Sequence, residues 1–310
     1  MARSLRDFRQ KIKATKSTKQ VTKALEMVSA AKMRKAVQNA QQLRRYALHA
    51  WSILQSLGRA SHDHPFLAEH PVKRVLGIVF TSDRGLCGGL NAQVFRAVNQ
   101  YLQGLKGLST FESIDFITVG RRGHQFLTRQ KQTVLATFPA LSNHPTFKDS
   151  LPIARLAEAS YLSDRYDHVV LIYSDFVSPM VQETAVKVLL PFSPSEMREM
   201  VGSIITRKRL TKEEEELNAQ DKEDVVDYLF EPSQKEVLDA ILPQLTEIQI
   251  YQAVLEAVAS EHSARMVAMR NATDNASDMI EDLTLGYNQT RQSNITAELA
   301  ELSAAISVLS

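Results

Sequence analysis

Apolar residues in the last third of the chain recur at mixed three- and four-residue steps: Leu245 and Ile248, then Leu255, Val258, Met266, Met269 and Leu283. The final turns keep that spacing most cleanly, as Ile295, Leu299, Leu302, Ile306 and Leu309. Steps of three and four put a stripe on one face of a helix. Ser233, with Glu236 three residues on, supplies a capping-box start. After Pro243 the chain has no further proline and one glycine, Gly286. The 67 residues from Gln244 to Ser310 would make a helix roughly 100 Å long at 1.5 Å per residue. A globule of this chain's size is narrower than that, so the helix is expected to protrude. Its stripe cannot rest in water, so it requires a partner helix or a sleeve.

The opening of the chain offers that partner. Residues 3–57 hold no proline and no glycine, and Leu5, Phe8, Ile12, Val21, Leu25, Val28, Met33, Val37, Leu43, Trp51 and Leu54 follow helical spacing. Gly58 ends the run, and His62 to Pro65 reads as a loop. Between Ala14 and Gln20 the stripe is thin, which suits a two-helix seam. At about 55 residues this helix is roughly 80 Å long, a length match for the last one. Charge agrees: residues 1–59 carry 14 Lys/Arg against 2 Asp/Glu, and residues 233–310 carry 4 against 11. The two termini are therefore expected to form an antiparallel pair.

The middle changes period. Val75–Phe80, Ile114–Val119, Lys131–Phe138 and Asp167–Tyr173 are short runs rich in β-branched residues, and Thr184–Leu190 is a fifth, read as antiparallel. Helical stretches fall between them at Asn91–Leu102, after Gly123, and at Ser150–Arg165. Alternating strands and helices predict an α/β sandwich with a largely parallel sheet, whose strands are apolar on both faces. The organisation read is a coiled-coil helix over 1–59, an α/β domain over 60–192, a charged segment over 193–232 and a second coiled-coil helix over 233–310. In the charged segment Arg207-Lys-Arg209 precedes Glu213 to Glu216, and little there could bury a core.

Composition narrows the chemistry. One cysteine, Cys87, rules out an internal disulfide, and no apolar run reaches the eighteen or so residues of a membrane span. Thr81-Ser-Asp-Arg-Gly-Leu-Cys-Gly-Gly-Leu-Asn91 is the most distinctive short stretch. It lacks the lysine of a P-loop and the spacing of a dinucleotide fingerprint, so it reads as a sharp strand-to-helix turn. Cys87 has no partner histidine placed by the sequence, so it reads as structural. His62, His64 and His70 share a loop without the cysteines or acidic residues a metal frame would need. Asp83, Asp167 and Asp175 sit near strand ends without a companion nucleophile. The basic first helix could track phosphates, but aromatic residues are sparse there and the acidic last helix competes.

Three blocks carry a resemblance. They are Val21-Thr-Lys-Ala-Leu-Glu-Met-Val-Ser-Ala-Ala-Lys-Met-Arg-Lys35, the Thr81–Asn91 stretch, and Ala259-Ser-Glu-His-Ser-Ala-Arg-Met-Val-Ala-Met-Arg-Asn-Ala-Thr-Asp-Asn275 continued by Tyr287–Leu299. In this order, and over the whole chain, they resemble the γ subunit family of F-type ATP synthases. The resemblance implies two long antiparallel helices wound together with a Rossmann-like α/β domain. It further implies a non-catalytic rotor without a cofactor, turned by proton or sodium flow through a c-ring. Its partners would be the hexamer of three α and three β subunits, subunit ε and the c-ring, with no nucleic acid. The setting would be peripheral, on the cytoplasmic face of a bacterial inner membrane. Matched family positions make Arg265, Gln292 and Thr296 a catch for the β subunits. Leu25, where some members carry methionine, would face a moving β segment. Tyr228 and Glu231 would touch the c-ring. Photosynthetic members carry a cysteine pair in the region of Ser193–Val226, and this chain has none there, so thiol control is not expected. An α/β nucleotide-handling enzyme with coiled-coil arms would instead turn over nucleotide alone. A coiled-coil nucleic-acid binder would show salt-dependent retention on DNA.

Overall fold

The computed structural model describes residues 4–57, 64–68, 70–141, 145–192 and 233–309. Among the described residues ten elements follow in order: α1 (Leu5–Leu57), β1 (Arg74–Phe80), α2 (Leu90–Lys106), β2 (Ser113–Val119), α3 (Arg121–Arg129), β3 (Val134–Phe138), α4 (Phe147–Leu162), β4 (His168–Phe176), β5 (Gln182–Leu190) and α5 (Gln234–Leu309). They form two compact units, Met1–Ala30 with Arg265–Ser310, and Ala31–Ala264.

In the larger unit the five strands make one sheet in the order β3-β2-β1-β4-β5. The first four are parallel, and β5 returns antiparallel along β4. Side chains alternate across such a sheet, and both faces are covered. Val75, Val79, Phe116 and Val170 point towards Val94 and Val98 of α2 and Leu127 of α3. Leu76, Ile78, Ile117 and Leu171 point the other way, into a core shared with α4, Ala36 of α1 and the Leu238–Ala259 stretch of α5. Burial on two faces is why these strands read as continuous apolar runs.

The start of α5 follows the capping residues. Glu236 N donates to Ser233 Oγ at 3.3 Å, and Ser233 Oγ donates to Glu236 Oε1 at 3.2 Å. Pro243 does not break it. The helix spans 76 residues with Pro243 inside. A proline removes one ladder bond and crowds the preceding turn, but Leu238, Leu242 and Leu245 are buried in the core around it. Packing there outweighs the local defect.

The smaller unit pairs the two terminal helices antiparallel. Arg9 Nη2 donates to Tyr287 Oη at 2.7 Å, with the Arg9 guanidinium also over the Tyr287 ring. Thr15 Oγ1 meets Met279 Sδ at 3.9 Å, and the Thr22 and Thr273 hydroxyls meet at 2.7 Å. Phe8 lies against Gly286, where a Cβ would come within 3.0 Å of the Phe8 ring. Rising numbers on α1 meet falling numbers on α5 in one constant register. The expected length match does not hold: α1 has 53 residues and α5 has 76. In this register the described start of α1 lies opposite about Arg291, and among the described residues no helix is paired with α5 beyond it.

Candidate functional site

The glycine-rich stretch after β1 folds into a latch. Thr81 Oγ1 accepts from Gly123 N at 2.8 Å, Ser82 O from Arg122 N at 3.2 Å, and Asp83 Oδ1 from Arg121 N at 2.9 Å. Asp83 Oδ2 takes Ala140 N at 3.3 Å. The amides of Arg121, Arg122 and Gly123 form the first turn of α3, where free N–H groups and the helix dipole favour an anion. The seat is filled by the chain itself: the Asp83 carboxylate takes Arg121 N, the Ser82 carbonyl Arg122 N and the Thr81 hydroxyl Gly123 N. Gly120, with φ at +101°, allows the close approach, since a Cβ there would lie 2.1 Å from Thr81 O. Cys87 is buried beside it, with Asn91 Nδ2 at 3.5 Å from Sγ and 2.8 Å from Ser82 Oγ.

At the carboxyl ends of β1, β2 and β4 lies a small cleft of about 20 Å³, room for little more than a water molecule, lined by Phe80, Ser82, Asn91, Val119 and Ser174. Doubly wound sheets hold ligands at this switch point. Here Val254, Ala257, Val258 and Glu261 of α5 line it as well.

The other sequence candidates have structural partners. Arg74 N and Nη2 donate to Asp167 at 2.8 and 2.9 Å. Burial acts to raise the Asp167 carboxyl, but the bonds and charge of Arg74 outweigh it and hold the group below its ordinary value. Asp175 is buried on β4. His64 Nδ1 accepts from Phe66 N at 3.1 Å, which leaves Nε2 as the donor to Asp239 Oδ1 at 2.9 Å. The His70 carbonyl accepts from His168 Nε2 at 3.0 Å, and His62 lies outside the described residues. Among the described residues no three His, Cys, Asp or Glu side chains are grouped to hold a metal.

The four residues matched to a β-subunit contact fall in two places. Leu25 on α1 and Arg265 on α5 are both half-buried, and the helix register sets Leu25 opposite a point about one and a half turns from Arg265. Gln292 and Thr296 are exposed, one turn apart on α5, with Thr296 Oγ1 donating to Gln292 O at 3.0 Å. They lie roughly 40 Å along the helix from Arg265, at 1.5 Å per residue. Tyr228 and Glu231 lie outside the described residues, as does the charged segment 193–232.

Sequence reasoning missed which part of the stripe would be bare. Ile295, Leu299 and Leu302 are 49%, 61% and 62% exposed, because α1 does not reach them. Val21, Met27 and Val28 are exposed around Leu25 on α1. Their spacing was visible, but covered and uncovered apolar positions have the same period.

The family model described as ATP synthase matches residues 4–309. An ATP synthase gamma chain of Roseiflexus castenholzii is 41% identical, over 99% of this chain and 98% of that one. Among solved structures, a chain from the central stalk and c-ring of the Tetrahymena thermophila mitochondrial ATP synthase is 25% identical. It superposes with a TM-score of 0.57 over 81% of this chain and 99% of its own length. A chain of the Euglena gracilis mitochondrial ATP synthase shares the fold at a TM-score of 0.63 and 22% identity, covering 98% and 94% of the two.

Proposed function

The chain belongs to the ATP synthase gamma family and is a subunit of that complex; from this premise we propose that it works as the central-stalk rotor. Ion flow, of protons or sodium, turns the c-ring and the chain with it. Its partners are the hexamer of three α and three β subunits, subunit ε and the c-ring. Family membership replaces the two other readings, an α/β enzyme and a nucleic-acid-binding coiled coil.

The observation that carries the mechanism is the lone end of α5. Apolar contact is non-directional, so Ile295, Leu299 and Leu302 inside a sleeve of repeated subunits meet much the same surface at every angle. Such a tip turns with little preference. Hydrogen bonds are directional, so Gln292 and Thr296 on the same exposed turns have partners only at certain angles. The tip is thus a bearing that carries a catch. Its contacts must break at each step, which suits bonds of about 0.5–1.5 kcal/mol when neutral and 1.5–3 when charged.

Arg265 and Leu25 form the second contact region, facing β segments that move. Three β subunits of one sequence then meet one asymmetric rotor, and differences in contact free energy between their states set different affinities. We assign catalysis to the β subunits. The latch supports this reading, because Thr81, Ser82 and Asp83 together hold the α3 amides a phosphate would need. Among the described residues no helix is long and apolar enough to cross a membrane. We infer attachment through the c-ring, with Tyr228 and Glu231 as contacts, on the cytoplasmic face of a bacterial inner membrane.

The test is reconstitution with α and β subunits, with Arg265→Ala and Gln292→Ala as variants. The wild-type chain should raise hexamer ATPase and both variants should lower it. Unchanged ATPase in both would remove the catch.

A further inference from the structure

Between Leu242 and Ser263, α5 is buried on nearly every side. Ile248, Ile250, Leu255, Val258, Ser260 and Ser263 are all buried, and at about 100° per residue their directions go right round the axis. A surface helix takes its roll angle from the contrast between an apolar and a polar face. This segment has no such contrast, and apolar contact by itself tolerates a small roll.

Directional bonds supply what packing lacks. Tyr251 Oη donates to the Pro145 carbonyl at 3.2 Å, in the loop before α4. The Phe147 ring stands edge-on to Tyr251, with centroids 5.6 Å apart, and fixes its orientation. Ser263 Oγ donates to the Pro179 carbonyl at 2.6 Å in the turn between β4 and β5, and accepts from Gln182 Nε2 at 3.3 Å. Tyr251 and Ser263 point about 120° apart around the helix. The two bonds end on separate elements of the same unit, so a roll in either direction lengthens at least one.

We propose that the hydroxyls of Tyr251 and Ser263 are positioning groups that lock the rotational setting of α5 in the α/β unit, so that torque entering that unit leaves along α5 without slip. The inference rests on the rotor reading and adds to it the place where the α/β unit holds α5.

The experiment uses the whole complex in proteoliposomes, measuring protons pumped per ATP hydrolysed. The double variant Tyr251→Phe with Ser263→Ala should keep its hydrolysis rate and lose at least two-fold in protons per ATP, with each single variant between. A double variant with a lower unfolding midpoint but an unchanged pumping ratio would make the hydroxyls merely structural and overturn the proposal. If the double variant does not assemble, Tyr251→Phe alone is measured against the same two outcomes. A wild-type chain that restores neither hydrolysis nor pumping would defeat the rotor reading itself, a result distinct from a working wild type whose variants pump equally well.

Discussion

The hydroxyls of Thr22 and Thr273 lie 2.7 Å apart inside the antiparallel pair of α1 and α5. Each is also within bonding distance of its own helix, Thr22 to Lys19 O at 3.0 Å and Thr273 to Met269 O at 2.8 Å. Each hydroxyl has one proton, so one donates across the seam while the other donates to its own carbonyl. A polar pair among apolar neighbours singles out one axial register, because any slip buries both hydroxyls apart. Thr22→Val should cost about 0.5–1.5 kcal/mol, and replacing both by Val should be close to neutral. A double-mutant cycle in denaturant unfolding checks this. Additive losses would mean that the two do not interact.

Gly120 has a backbone only glycine holds easily, and a Cβ there would collide with Thr81 O. Gly120→Ala should destabilise the α/β unit by at least about 2 kcal/mol through strain and displacement of the latch. Asp83→Asn should cost less, since it keeps an acceptor. Denaturant titrations followed by circular dichroism would rank the two.

Glu158 gives the α/β unit a pH dependence. Burial first, then the charge of Glu247, push its carboxyl up to about 7 from 4.5, against the pull of Arg155. The folded state therefore holds this proton more tightly than the unfolded chain. Its contribution is full below about 4.5 and is lost as pH rises towards about 7. Glu158 is half-buried, so after solvent screening the effect should be about 1 kcal/mol. Melting of the wild type should fall from pH 5 to pH 8, and Glu158→Gln should flatten that slope. Parallel slopes would place the titration elsewhere.

For the catch, the size of the bond sets the size of the loss. Gln292→Ala should lower ATPase of the reconstituted hexamer about two- to ten-fold, and Arg265→Ala about ten- to a hundred-fold, if the bonds form at the rate-limiting angle. Thr296→Ser, which keeps the hydroxyl, should stay near wild type. Steady-state rates at saturating ATP are enough to decide.

Sequence alone was enough for whatever depends on near neighbours. Steps of three and four residues gave both terminal helices, Ser233 and Glu236 gave the start of α5, and apolar runs gave the strands and their parallel order. The three quoted blocks gave the family. Tertiary structure alone decided that Asp83 sits on the first turn of α3 and that the stripe is covered at Met269 but bare at Leu299. The reason is physical: periodicity records which residues share a face, whereas register and cover are set by contacts such as Thr22 with Thr273, 251 positions apart, whose free energy leaves no local trace in the chain.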